Sequence, residues 1–310
     1  MKISNNRKYI ATINNSVKIW DANNCNHVVS FSRNYFTDIF TYAGFSMPAH
    51  REHINDLQFS QDSLLVATRA SHEIIVWGLK KGTPIYTVKS DGENPLNNTL
   101  SISTDSRILA VANKAPNTIE FHDISKERIS HTINIKDIGY EKIDSIAFSD
   151  NKYLLVNGKT KYKPKTTMYD VEGNKIVAVF EHSADINSLS QNRKYIGVRA
   201  KDSIQIWALS PEYTLHRSIP KLKRKEMKSP KGLYASDDGR HIVVFSYDSE
   251  VVLLDGLTGK SKSLGSYNPN VYGFDGGFID KRTVLFVHSS YVPGKAYKGR
   301  TDVFLLNLEL

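Results

Sequence analysis

The stretch "SISTDSRILAVANK", residues 101–114, holds a serine at 103, a short polar segment with Asp105, and then an aliphatic run. Alone it reads as a tight turn followed by a buried strand. Its weight comes from recurrence. The same unit reads "SNNRKYIATI" from Ser4, "SQDSLLVATR" from Ser60, "STDSRILAVA" from Ser103 and "SDNKYLLVNG" from Ser149. It returns as "SQNRKYIGVR" from Ser190 and "SDDGRHIVVF" from Ser236, with a degraded seventh copy, "IDKRTVLFVH", from Ile279. The starts are 56, 43, 46, 41, 46 and 43 residues apart. A near-constant interval of this size is the mark of a repeat architecture.

Each copy carries a second mark downstream. These are "VKIWD" at 17–21, "IIVWG" at 74–78, "IEFHD" at 119–123, "TTMYD" at 166–170, "IQIWA" at 204–208, "VVLLD" at 251–255 and "VFLLN" at 303–307. A third run precedes the serine, as in "INDLQFS" at 54–60 and "IDSIAFS" at 143–149. A fourth follows the second mark, as in "PIYTVKS" at 84–90 and "KIVAVFE" at 175–181. The runs are short, β-branched or aromatic, and bounded by Asn, Asp, Gly and Ser, so they predict strands. Asn and Asp in the spacers bond their own backbone and tolerate left-handed dihedrals, which suits tight turns. Four strands in each unit of forty-odd residues is the arithmetic of a propeller blade. The predicted fold is all-β, a seven-bladed propeller of four-stranded antiparallel blades forming one domain over 1–310.

The pattern from Ile3 to Leu308 resembles the WD-repeat family in period and strand order. Its terminal dipeptide stands once, as Trp20–Asp21; elsewhere the Trp position holds Trp77, His122, Tyr169, Trp207, Leu254 and Leu306. The resemblance implies a hydrogen-bonded histidine in some blades. His182, with Asp202 and Trp207, fits that part, and His50 or His53 fits it in the second blade. It also implies closure of the ring by strands from both chain ends. Here only Met1–Ser4 precede the first turn, and the last blade stops after its third strand. An irregular seam, a shortened chain or a strand donated to the last blade by a partner are the open readings, because an unpaired edge leaves backbone groups exposed.

The chain of 310 residues carries a formal charge of +9 and one cysteine, Cys25. No intrachain disulfide can form, which favours a reducing compartment, cytoplasmic or nuclear. The N-terminus has no signal-peptide pattern, and no apolar run is long enough to span a bilayer. The positive charge is local. One cluster holds Lys159, Lys161, Lys163 and Lys165. A second holds Lys221, Lys223, Arg224, Lys225, Lys228 and Lys231, opposed by Glu226. A third holds Lys295, Lys298 and Arg300. Together they contribute a surplus of twelve, so the remainder sums to −3. The first and third fall between the second and third strands of their blades, the middle one between two blades. In an antiparallel blade these connections leave on the same side, so all three are expected on one face. Such a face attracts polyanions. Lysine in place of arginine suits diffuse attraction more than bidentate reading. On the same side, an insertion at 33–49 between the first and second blades holds Tyr35, Phe36, Phe40, Tyr42 and Phe45. These either pack over the disc or anchor a partner.

Several catalytic resemblances fail on spacing. "TGKS" at 258–261 has Leu254 where a phosphate-binding loop needs glycine, and it falls in an expected hairpin. "HREH" at 50–53 offers two histidines without a third ligand. No GxSxG is present. The expected function is a non-catalytic scaffold with no cofactor and no metal. It recruits a protein partner, acidic or phosphate-bearing, with nucleic acid and anionic lipid as further candidates. The alternative is a propeller enzyme, lactonase-like or quinone-dependent dehydrogenase-like, with a central site drawn from Asp56, Asp144, Asp185 and Asn187.

Overall fold

The repeated serine builds the turn that the sequence predicts. In a computed structural model, Ser4, Ser60, Ser103, Ser190 and Ser236 each donate Oγ–H to the Asn or Asp two residues on, at 2.5–2.8 Å. Each Oγ also accepts the backbone N–H five residues on, at 2.9–3.0 Å. The residue three beyond the serine takes a left-handed conformation: Arg7, Ser63, Ser106, Arg193 and Gly239 have φ between 57° and 65°. The side-chain bonds hold four non-glycine residues in a region that L-residues otherwise avoid. At Gly239 glycine is required, since a Cβ would stand 2.5 Å from the Tyr195 ring. The copy at Ser149 is one residue shorter before its strand and lacks this left-handed residue.

The structure describes residues 2–13, 16–31, 49–50, 52–89, 99–113, 117–180, 188–190, 192–200, 203–209, 213–220, 230–246, 249–266, 271–279, 282–291 and 299–308, with the backbone alone described at 199, 220, 230–231, 271–275, 287–291 and 299–303. These form seven antiparallel sheets, each with its strands in chain order. The first comprises β1 (Lys2–Ile3), β2 (Tyr9–Ile13), β3 (Val17–Asp21) and β4 (His27–Phe31). The second comprises β5 (Asp56–Phe59), β6 (Leu65–Arg69), β7 (Glu73–Gly78) and β8 (Thr83–Lys89). The third comprises β9 (Leu100–Ile102), β10 (Ile108–Asn113), β11 (Thr118–Asp123) and β12 (Arg128–Asn134). The fourth comprises β13 (Lys142–Phe148), β14 (Tyr153–Lys159), β15 (Pro164–Asp170) and β16 (Lys175–Phe180). The fifth has three described strands, β17 (Tyr195–Arg199), β18 (Ser203–Ala208) and β19 (Leu215–Pro220); its expected innermost run, 181–187, lies outside the described residues. The sixth comprises β20 (Pro230–Ala235), β21 (His241–Ser246), β22 (Glu250–Asp255) and β23 (Ser261–Ser266), and the seventh β24 (Val271–Phe278), β25 (Thr283–Tyr291) and β26 (Gly299–Asn307).

The chain divides into two compact units, Met1–Lys152 and Tyr153–Leu310. In the first, β1 lies beside β5, β5 beside β9 and β9 beside β13; in the second, β20 lies beside β24. The apolar core sits between successive sheets. Val17 and Ile19 of β3 pack with Leu57, Val66 and Ile75 of the second sheet. Ile204 and Ile206 of β18 pack with Ile242 and Val244 of β21. Central strands are thus covered on both faces. This explains runs such as HIVVFS, in which every residue is buried and no polar alternation survives. Of the six third strands with a described fourth, five meet it with a register shift at the Trp position or beside it, as at Val76/Trp77 and Met168/Tyr169. A bulge of this kind re-aims the side chain at that position. Among the described residues, no helix is long and apolar enough to cross a membrane.

Candidate functional site

The hairpin joining the second and third strands differs in length from sheet to sheet. Five residue pairs join β2 to β3, β6 to β7, β17 to β18 and β21 to β22, and six join β10 to β11. β14 and β15 share seven pairs, from Tyr153↔Asp170 to Lys159↔Pro164, and β25 and β26 share nine. At about 3.3 Å per residue, two extra pairs carry the β14–β15 tip about 7 Å further along the sheet edge. The two longest hairpins are the two that carry lysine clusters.

Thr160 shapes the β14–β15 tip. Its Oγ1 donates to the Lys163 carbonyl at 2.9 Å and accepts the N–H groups of Tyr162 and Lys163 at 3.3 Å. Its own N–H donates to the same carbonyl at 3.1 Å. Behind the tip, Thr166 Oγ1 donates to Asn157 Oδ1 at 3.1 Å, and Val156, Gly158, Thr166 and Thr167 are buried. The tip is thus an ordered turn on a packed base. Lys159, Lys161 and Lys163 are exposed, Lys165 is half-buried, and Tyr162 is 86% exposed. Lys161 Nζ lies 5.8 Å from the Tyr162 ring centroid, within cation–π range. Among the described residues, no ion pair engages Lys159, Lys161 or Lys163.

No family model matches the sequence, and no curated protein matches it. Among solved structures, the β-propeller domain of Cps50 (Swd1) from Myceliophteria thermophila is similar at a TM-score of 0.68, over 97% of this chain and 95% of that one, with 13% identity. The fold is a seven-bladed, WD-repeat-like β-propeller.

In the second blade, His50 takes the place that the resemblance implies. Its Nε2 lies 2.6 Å from Thr68 Oγ1 and its Nδ1 2.9 Å from Glu73 Oε1, while the Trp77 indole N–H donates to Thr68 Oγ1 at 2.7 Å. His53 is exposed and outside this network, and Glu52 bonds His72 at 2.7 Å. Within "HREH", His50 therefore serves blade packing, and Glu52 makes a surface contact. Among the described residues, no three His, Cys, Asp or Glu side chains gather as metal ligands. "TGKS" lies in the hairpin between β22 and β23, where the Asp255 carboxylate accepts the N–H groups of Leu257 and Thr258. Asp56 accepts its neighbour Leu57 N–H at 2.8 Å, and Asp144 pairs with Lys142 at 2.7 Å. His182, Asp185, Asn187 and Asp202 fall outside the described residues; Trp207 donates to Gln205 Oε1 at 2.9 Å.

Of the other expected contact residues, Tyr35, Phe36, Phe40, Tyr42, Phe45, Lys221, Lys223, Arg224, Lys225, Lys228, Lys295 and Lys298 lie outside the described residues. Lys231 falls on β20, and Arg300 on β26 opposite Ser290. A further polar chain was not anticipated from sequence. The Tyr86 hydroxyl of the second blade lies 2.9 Å from His122 Nδ1 of the third, and His122 Nε2 lies 3.2 Å from Glu120 Oε2. His122, at the Trp position, ties two blades together where Trp77 bonds within its own.

Proposed function

We propose that this propeller is a non-catalytic interaction platform whose lysine-bearing hairpins recruit a protein partner that is acidic or bears phosphate. One observation carries the reading: the two longest hairpins between second and third strands, β14–β15 and β25–β26, are the ones that end in lysine clusters. Both belong to the unit Tyr153–Leu310. Connections between second and third strands leave an antiparallel blade on the same edge as those between blades, so we read the cluster at 221–231, most of it outside the described residues, on that edge too. A positively charged rim raises the local concentration of an anionic partner and its rate of encounter. The ordered Thr160 turn limits the entropy lost when the tip is engaged.

The test is fluorescence anisotropy with a glutamate-rich peptide and a phosphorylated peptide. The wild-type chain binds, and affinity falls as salt rises. Replacing Lys159, Lys161, Lys163 and Lys165 together by serine lowers affinity about tenfold or more, at several tenths of a kcal/mol for each exposed charge. Binding that survives this replacement at low salt overturns the role of the hairpin.

A further inference from the structure

We propose that the β14–β15 hairpin docks the propeller on an anionic lipid surface, with Tyr162 seated at headgroup level between Lys161 and Lys163. The inference rests on the reading that this hairpin is a contact element, and it names the surface contacted. The shape of the tip selects among anionic ligands. Single-stranded nucleic acid is held in a groove lined by several stacking rings. The tip of β14–β15 is no such groove. It is a convex turn of four residues, Thr160 to Lys163, carrying one ring that is almost wholly exposed. A convex tip meets a plane.

Its residues match that plane. Tyrosine favours the membrane–water interface, where its ring is partly buried and its hydroxyl remains wet. Lysine near an anionic leaflet is drawn by the surface potential, an attraction that fades within a Debye length. The lysines must therefore reach the surface, and the extra ladder pairs supply that reach. Of the other hairpins on this edge in residues 153–310, β17–β18 and β21–β22 stop at five pairs, and β25–β26, the second lysine-bearing hairpin, runs to nine. Lys161 stays close to the Tyr162 ring, so charge and ring arrive together. The same order of residues recurs in sequence at Lys295, Tyr297 and Lys298. One ring and four lysines give a reversible, salt-sensitive attachment, because stable anchoring takes two strong signals.

Flotation with phosphatidylcholine vesicles, with and without phosphatidylserine, tests this on the full chain. The protein is expected to float only with phosphatidylserine and to be released by salt. Lys161→Ser and Lys163→Ser each lower partition about fivefold. Tyr162→Ala lowers it further, whereas Tyr162→Trp retains binding and gains emission that brominated lipid quenches. Absence of flotation with phosphatidylserine overturns the proposal, as does flotation indifferent to Tyr162 and the lysines. The peptide assay and an oligouridine RNA run alongside separate the causes. Lysine-dependent peptide binding without flotation sinks lipid docking and leaves the scaffold standing. Tyr162-dependent RNA binding without flotation assigns the tip to nucleic acid and also sinks it. Loss of all three removes both readings.

Discussion

Thr68 carries the hydroxyl on which two buried rings depend. Trp77 donates to it at 2.7 Å, His50 Nε2 lies 2.6 Å from it, and both rings are almost wholly inaccessible. Thr68→Val keeps the shape and removes the hydroxyl. It leaves the indole N–H without its acceptor and His50 without its partner in a place closed to water. The expected cost is about 2–3 kcal/mol, read as a lower urea midpoint at unchanged slope. Thr12, which accepts the Trp20 indole at 2.8 Å, is a control. Trp20 and Thr12 are both half-buried, so water replaces the lost bond and the same change costs less than about 1 kcal/mol. The sequence reading narrowed the second-blade histidine to His50 or His53, and the structure selects His50, with Glu73 at its other nitrogen. The Tyr86–His122 contact was not legible. Its partners are 36 residues apart in different repeats, and aligning copies compares positions within a repeat, not across two.

At the scale of elements, the fifth residue of the second mark caps a hairpin. Asp21, Asp123, Asp170 and Asp255 each accept backbone N–H groups two or three residues on. Asp255 also accepts Arg240 Nη2 at 2.8 Å. The Arg240 hydrogen bond, aided by the N–H groups of Thr258 and Leu257, holds its carboxyl at about 2, below an ordinary 3.8. The unfolded chain therefore takes up the proton first. The stabilisation is fully present above the unfolded value and is lost as pH falls from about 4 to about 2. Asp255→Asn is expected to flatten the decline of urea stability in that window and to leave the slope above it unchanged. An equally steep decline in the variant would show that Asp255 is not the titrating group. The short strands and their turns were legible because each copy states them independently. Hairpin length went unread, although a signal existed. The interval from the start of the second strand to the second mark is 13 residues in the fourth repeat and 20 in the seventh, against 8–11 elsewhere. Ladder length depends on pairing across the turn, which residue spacing alone does not fix.

Across the whole molecule, the serine turns do more than reverse the chain. Asn5 Nδ2 donates to the Ser60 carbonyl at 3.0 Å, and Ser106 Oγ donates to Asp62 Oδ2 at 2.8 Å. Thr104 Oγ1 and Asp105 N–H both donate to Asn151 Oδ1. In the second unit, Asn192 donates to Asp237 twice at 2.8 Å. In these four pairs one turn grips the next, and stability is shared between neighbours as in other repeat proteins, where intrinsic and nearest-neighbour terms dominate. A pair of double-mutant cycles tests this. Asp62→Ala also removes bonds to Ser60 Oγ and Leu64 N–H, and Ser106→Ala places alanine at a left-handed position, but both side effects cancel in a cycle. What remains is the contact between neighbouring blades, expected at about 0.5–1 kcal/mol for an exposed bond to a carboxylate. Asp62→Ala combined with Asn192→Ala shares no partner and is expected to add within about 0.5 kcal/mol. Equal coupling in both pairs would mean that turns communicate through the fold as a whole, and a nearest-neighbour account of the propeller would fail.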